Sequence, residues 1–336
     1  MSGPVASTQF NNVGACMKPR FQNSLSLPEG YRYLHQIAPT PLVPVTLEDA
    51  GVEIWCKLEF LNPSGSTKDR IARHIIEKAW RAGKITRGST VVEASSGSTS
   101  IAFALACSQM GLRFVAFIPD SATSERELII RAYGGIVKRV PGDMTEVLRA
   151  AREASENEGW FLGQQFSNED NTEAHRLFTG SEILSQIPGG CVDGIVSGVG
   201  TGGTLRGLYE AFRSAGCEVG AHAAIPCEGK LFGANVECCS LRFSPNVPGV
   251  ANGISDIYGQ WNCPHLTEWE IPDDECLELT RQLWAKGFPV GPSSGLNMAA
   301  AIRVADRLGK DCAVVTVFPD RMERYFSHTV FDGIRP

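Results

Sequence analysis

The chain reads as an α/β protein made of two open parallel-sheet α/β domains, with a ligand held in the cleft between them. From residue 53 onward, apolar runs of strand length alternate with stretches of helical period, which indicates parallel β-α-β units with right-handed crossovers. Gly83, Gly111, Gly134 and Gly159 each fall just past a helical stretch, where a left-handed cap residue is wanted. Every glycine-rich motif follows a strand, and open parallel sheets bind ligands beyond the carboxyl ends of their strands. At 336 residues, with roughly 100–200 residues per domain, two domains are expected.

Taken in order, residues 1–33 are polar, turn-rich and aperiodic, and read as an extended N-terminal arm. Pro39-Thr40-Pro41-Leu42-Val43 opens the folded part. An alternating apolar run over 52–61 predicts the first strand, and the stripe of Ile71, Ile75 and Ala79 beside Ala72, Ile76 and Trp80 predicts a helix over 69–82. Strand 90–94, helix 99–110, strand 114–118, helix 124–133, strand 136–140 and helix 145–158 complete the first series. The second begins near Val192 with strand 194–197, helix 204–213 and strand 222–226. A Pro- and Gly-rich stretch over 244–259 precedes helices 273–286 and 295–308 and a last strand over 313–318. The series are alike in build but show no alignable repeat. The expected division is a small, mobile α/β domain over 53–166 and a large α/β domain over 34–52 and 167–336.

Composition narrows the function. Hydrophobic content of 43% with 20% charged residues is ordinary for a globular chain, and a net charge of −6 without a Lys/Arg-rich run argues against a nucleic-acid surface. The N-terminus lacks a basic start with an apolar core, and no apolar run approaches the ~20 residues of a bilayer span. A cytoplasmic protein acting on small polar metabolites is expected. The eleven cysteines, among them Cys56, Cys107, Cys191 and Cys312, form no C-x-x-C pair, so buried free thiols are expected over bridges. The six histidines are scattered without metal-ligand spacing, so no metal site is expected. Cys16 and His35 in the arm would be the pair to consider for a haem iron, against the plainer reading that they are structural.

Four segments carry chemistry. In Asn62-Pro63-Ser64-Gly65-Ser66-Thr67-Lys68-Asp69-Arg70, turn formers place Lys68 where a loop becomes a helix. The partly positive N–H groups of a helix N-terminus disfavour a protonated amine and suit it to act as nucleophile or base. These residues alone also fit a solvated lysine. Gly198-Val199-Gly200-Thr201-Gly202-Gly203-Thr204 joins a strand to a helix and suits a phosphate, although a merely tight turn has the same composition. It lacks the P-loop lysine and the dinucleotide spacing. Val92-Glu93-Ala94-Ser95-Ser96-Gly97-Ser98-Thr99 is a hydroxyl-crowded junction sized for a carboxylate, or else a set of helix caps. Pro289-Val290-Gly291-Pro292-Ser293-Ser294-Gly295 is a third such junction, polar and neutral. A reactive lysine, a phosphate cradle, a carboxylate-sized hydroxyl loop and a neutral Ser-Ser together specify a site for pyridoxal 5'-phosphate.

The lysine segment, Gly200 to Thr204, Gly291 to Gly295, and Phe318-Pro319-Asp320 with Glu323-Arg324-Tyr325 also resemble the cysteine synthase and cystathionine β-synthase family. These are fold-type II pyridoxal-phosphate enzymes with a tryptophan synthase β-like fold. The resemblance covers roughly residues 39–325 in the family's motif order. It implies that Lys68 forms the Schiff base, that Gly200, Thr201, Gly202, Gly203 and Thr204 bind the phosphate, and that Ser293 bonds to the pyridine nitrogen. It further implies that Ser95, Ser96, Gly97, Thr99 and Gln165 bind the substrate carboxylate, and that the enzyme is a homodimer. The family asparagine that reaches the cofactor's ring oxygen is replaced here by Ser98, whose reach is shorter. Glu93 to Thr99 is similar instead to a cysteine desulfhydrase branch of the superfamily. Arg321-Met322 replaces small residues before Glu-Arg-Tyr, and no tandem regulatory domain is expected beyond residue 325.

The resemblance implies β-replacement on an O-activated serine, or on serine, through an aminoacrylate, with Lys68 taking the Cα proton. A neutral serine at the ring nitrogen weakens the electron sink and favours prompt β-elimination. The product is then cysteine or a related β-substituted alanine. The alternatives are a β-eliminating lyase that releases pyruvate and ammonia, suggested by Ser98, and a weakly catalytic binding protein on the same fold.

Overall fold

The structure is a computed structural model that describes residues 37–47, 51–95, 97–227, 231–232, 235–236, 246–250, 253–309 and 311–334. The arm with Cys16 and His35, and Ser96 of the hydroxyl loop, lie outside the described residues.

β1 (Leu42–Thr46) and β2 (Glu53–Lys57) lead into α1 (Lys68–Arg81). Then follow β3 (Thr90–Ala94), α2 (Ser98–Met110), β4 (Arg113–Pro119), α3 (Ser124–Ala132), β5 (Ile136–Val140), α4 (Met144–Glu158) and β6 (Phe161–Leu162). α5 (Asp170–Ala174) runs through a π-helical turn into α6 (Ser181–Gln186). Next come β7 (Gly194–Gly198), α7 (Gly203–Ser214), β8 (Gly220–Cys227), the short β9 (Leu231–Phe232) and β10 (Asn235–Val236), and α8 (Asp256–Gly259). β11 (Leu266–Pro272), α9 (Asp273–Ala285), α10 (Pro292–Leu308) and β12 (Val314–Val317) complete the order.

β5-β4-β3-β6 form a parallel four-stranded sheet, and β1-β2-β12-β7-β8-β11 form a six-stranded sheet that is parallel except for the β1–β2 pair. β3, β7 and β12 are buried almost throughout, as parallel strands covered on both faces must be. α10 is buried without interruption from Pro292 to Ala301 and packs on β7, β8 and β12, so it forms the centre of the larger core.

The alternating stretch 53–57, assigned from sequence to the small domain, belongs to the six-stranded sheet: Val315 pairs with Trp55 and Thr316 with Cys56. Its neighbours in the sheet come from residues some 260 positions later, which local pattern cannot announce. Leu42 to Thr46, Leu266 to Pro272 and the helices between Asp170 and Gln186 likewise form elements that their irregular periodicity did not indicate. α10 starts at Pro292, three residues before the expected 295, because proline suits the first helical turn; Ser293 therefore sits at the helix entrance.

The expectation of free thiols is corrected at Cys191, which is bridged to Cys217 with a Cα–Cα distance of 5.7 Å. The β7–α7 unit folds back on itself and brings the two together. Cys56, Cys107 and Cys312 are free, as expected. Tertiary packing also gathers His74, Asp170 and Glu173, which sequence spacing did not group. His74 Nε2 lies 2.9 Å from Glu173, and the Lys78 ammonium bonds both carboxylates and supplies the charge they need.

Candidate active site

Lys68 is the first residue of α1, and the loop before it is fastened from several sides. Ser64 Oγ donates to Asp69 Oδ2 at 2.6 Å, Thr67 N donates to Pro319 O at 2.8 Å, and the Arg324 guanidinium donates to the carbonyls of Ser64 and Gly65. Gly65 takes φ +82°, and a Cβ there would lie 2.9 Å from the Arg321 side chain. Lys68 is half-buried and lines the cavity, and burial lowers the pKa of its amine. The Arg324 cation lowers it further, while Asp320 opposes both.

The cavity, of about 670 Å³, gathers ten of the predicted site residues: Lys68, Ser95, Ser98, Thr99, Gln165, Gly200, Thr201, Gly202, Thr204 and Ser293. Gly97 and Gly203 are not among the residues that line it. The glycine loop ends β7 and starts α7, so a helix N-terminus opens on the cavity. Thr201 Oγ1 accepts from Asn171 Nδ2 at 2.9 Å and from Gly203 N at 3.3 Å, which leaves its proton to donate to an anion. Thr204 Oγ1 lies 3.1 Å from His175 Nε2, and burial holds that imidazole neutral with a pKa lowered to about 3. Gly202 takes φ +80°, and a Cβ on Gly203 would lie 2.1 Å from Asn171 Oδ1. Gly203 thus serves as the helix's packing contact, with its N–H turned to Thr201.

In the hydroxyl loop, Ser95 Oγ accepts from Gly97 N at 2.9 Å and from Ser100 N at 3.4 Å, so it caps α2 as its composition allowed. Thr99 Oγ1 donates to Gln165 Oε1 at 2.6 Å and Gln165 Nε2 donates to Ala94 O at 2.6 Å. Gln165 is therefore clamped to the loop, with one amide proton left to give. Ser98 Oγ donates to Asp320 Oδ2 at 3.0 Å. Behind the loop, burial raises the Glu93 carboxyl to about 8; one of its oxygens accepts from Ala94 N at 2.9 Å.

Four further residues enter the site. Asp320 and Tyr325 stand in the terminal motif that the resemblance rests on, yet nothing local showed that they turn into the cavity. Arg126 comes from α3, with its guanidinium 4.8 Å from the Tyr325 ring. Asn297 was legible as a lone polar residue in an apolar helical run; its Oδ1 accepts from Gly198 N at 2.6 Å and its Nδ2 donates to Val317 O at 2.7 Å, which pins the strand ends beside the glycine loop.

These residues fit a phosphate-bearing aldehyde. One cavity holds an amine with a lowered pKa, a helix N-terminus with a spare hydroxyl proton, and the buried Thr67 Oγ1, which has no partner among the described residues. Fold and site together define a pyridoxal-phosphate-dependent α/β enzyme. The chain belongs to the family described as pyridoxal-phosphate dependent enzyme, whose model matches residues 33–320. It is 36% identical over 303 residues to a cysteine synthase of Staphylococcus aureus, covering 88% of this chain and 95% of that protein. The crystal structure of an O-ureido-L-serine synthase matches with a TM-score of 0.79 at 32% identity, covering 90% and 95% of the two chains. A hydrogen sulfide-producing enzyme from Fusobacterium nucleatum matches with a TM-score of 0.79 at 29% identity, covering 91% and 92%.

Proposed function

We propose that this protein catalyses pyridoxal-phosphate-dependent β-replacement on an O-activated serine, or on serine, to give cysteine or a related β-substituted alanine. The observation that carries the reading is that the Lys68 amine and the Gly200–Thr204 helix entrance open on one cavity in a chain similar to synthases of that kind. The cofactor, when bound, supplies the aldehyde that captures the substrate amine and the ring that stabilises charge at Cα.

The chain's residues do the rest. Thr201 and the N–H groups of α7 that follow Gly203 would hold the phosphate, and Ser293 at the entrance of α10 would offer the ring nitrogen a neutral partner. Ser95 and Gln165 hold the substrate carboxylate, and Thr99, whose proton is given to Gln165 Oε1, orients that amide rather than touching the substrate. Lys68, with its amine biased toward the neutral form by burial, removes the Cα proton. Movement of the part of the chain that carries the β5-β4-β3-β6 sheet would then exclude water while the β-substituent is exchanged. The resemblance supports a homodimer.

β-Elimination with release of pyruvate and ammonia is the second reading. It is favoured by Ser98 in place of asparagine and by the similarity to a hydrogen sulfide-producing enzyme. O-acetylserine, O-phosphoserine, serine, cysteine and homocysteine, each assayed with sulfide and pyruvate followed together, separate the two. Net consumption of sulfide with an O-activated serine supports synthesis. Stoichiometric pyruvate from every active substrate would replace that reading with the lyase.

A further inference from the structure

Ser98 and Asp320 stand 222 positions apart in the chain and meet at the cavity wall, where Ser98 Oγ donates to Asp320 Oδ2 at 3.0 Å. Tyr325 Oη donates to the same oxygen at 2.7 Å. Asp320 and Tyr325 are both buried. Burial, and the Asp320 charge beside it, push the Tyr325 phenol well above its ordinary pKa, so it stays protonated and remains a donor. A serine hydroxyl has one proton to give. Ser98 has committed its proton to Asp320, and toward the cavity it presents lone pairs only. An asparagine at this position would present an amide donor instead.

We propose that Asp320 is a positioning residue that fixes Ser98 as a hydrogen-bond acceptor toward the bound cofactor, so that the site favours the cofactor form protonated at the atom contacting Ser98. This deepens the functional reading above and rests on it. The family resemblance implies that the cofactor's ring oxygen, a titratable phenol, lies beside position 98. The proton stays on that oxygen, and Asp320 only sets which way the Ser98 hydroxyl points. Lys68 of α1, Arg126 of α3, Asp143 at the start of α4, and Arg324, Tyr325 and His328 of the terminal segment are the charged or titratable groups that line the same cavity or act on this pair. Asparagine at 320 has nearly the same shape, but its uncharged amide oxygen, still shared with the Tyr325 donor, is a weaker acceptor than a carboxylate. The serine proton is then freer to turn toward the cavity, and the polarity of the contact shifts.

The test is the absorption spectrum of the bound cofactor, recorded in the wild-type holoenzyme and in Asp320→Asn, Asp320→Glu and Ser98→Ala across the neutral and alkaline range. Asp320→Asn should shift the ratio of bands from the protonated-oxygen form toward the unprotonated form by about tenfold, the change in a ratio that one hydrogen bond to a charged group commands. Ser98→Ala should shift it the same way, the double variant should go no further than the larger single change, and Asp320→Glu should return it toward wild type. Spectra of Asp320→Asn and Ser98→Ala that superimpose on wild type at every pH would overturn the proposal. So would full additivity of the two changes, since a unit acting through one hydroxyl cannot add. If Asp320→Asn loses its fold, Ser98→Ala, which deletes one surface-lining oxygen, decides alone: a shift supports the proposal and none refutes it. A wild-type protein that takes up no pyridoxal phosphate would instead overturn the functional reading, and the proposal with it.

Discussion

Replacing Glu59 by glutamine should cost about 3 kcal/mol at neutral pH, and the cost should fade in acid. Glu59 and Arg70 are both almost fully buried, and the guanidinium bonds Glu59 through Nε at 2.6 Å and Nη2 at 2.7 Å. Arg70 also bonds Glu182 twice, at 2.6 and 2.7 Å, and Lys57 Nζ reaches Glu182 at 2.8 Å and Thr40 O at 2.6 Å. Burial alone would raise the Glu59 carboxyl, but the Arg70 charge and hydrogen bonds outweigh it and bring the pKa from 4.5 to about 2. At about 1.4 kcal/mol per unit, that difference corresponds to about 3 kcal/mol, in line with the ~3–5 kcal/mol lost when one partner of a buried pair is removed. A lowered carboxylate pKa gives stability that is complete above the unfolded value of 4.5 and is lost as pH falls toward 2. Urea midpoints of wild type and Glu59→Gln, measured from neutral pH downward, are the assay. A gap below about 0.5 kcal/mol at neutral pH, the scatter of ordinary surface substitutions, would refute the reasoning. So would a gap that does not narrow below pH 4.5. Arg70 stands two residues after Lys68, so cofactor retention should fall in the same variant.

Borohydride reduction of the holoenzyme should leave the cofactor as a label on Lys68, read by peptide mass; a label on another lysine would exclude Lys68 as the reacting amine. Gly203→Val should lose cofactor on dialysis, because the added Cβ meets Asn171 Oδ1 at 2.1 Å and pushes α7 off its donors; full retention after dialysis would count against the phosphate assignment. Ser98→Asn should move products from pyruvate toward β-substituted alanine, since one amide proton can satisfy Asp320 while the other reaches the cofactor; an unchanged product ratio removes the support for the lyase reading. Glu93→Gln should gain stability on wild type as pH rises. The folded carboxyl titrates near 8 against 4.5 unfolded, so its contribution is complete below 4.5 and drains by about 1.4 kcal/mol per unit up to 8. Melting curves of the two proteins that stay parallel from pH 5 to pH 8 would contradict this.

Local pattern was enough to read most of the alternating strands and helices, because the core strands are short apolar runs and some helices close with a glycine in the left-handed region, as α2 does at Gly111 and α4 at Gly159. That the lysine segment and the glycine-rich and hydroxyl-rich junctions are turns leading into helices was legible for the same reason: each is a contiguous stretch shaped by its neighbours in the chain. What the chain could not state locally was which distant residues share a wall with those turns. β2 was misassigned because its partners in the sheet arrive some 260 residues later, and the Cys191–Cys217 bridge depends on how β7 and α7 fold back. The hydroxyl of Ser98 has either donor or acceptor character until a neighbour claims its proton. Only the tertiary structure, by carrying Asp320 across the cleft to within 3.0 Å, decides which character the cofactor meets.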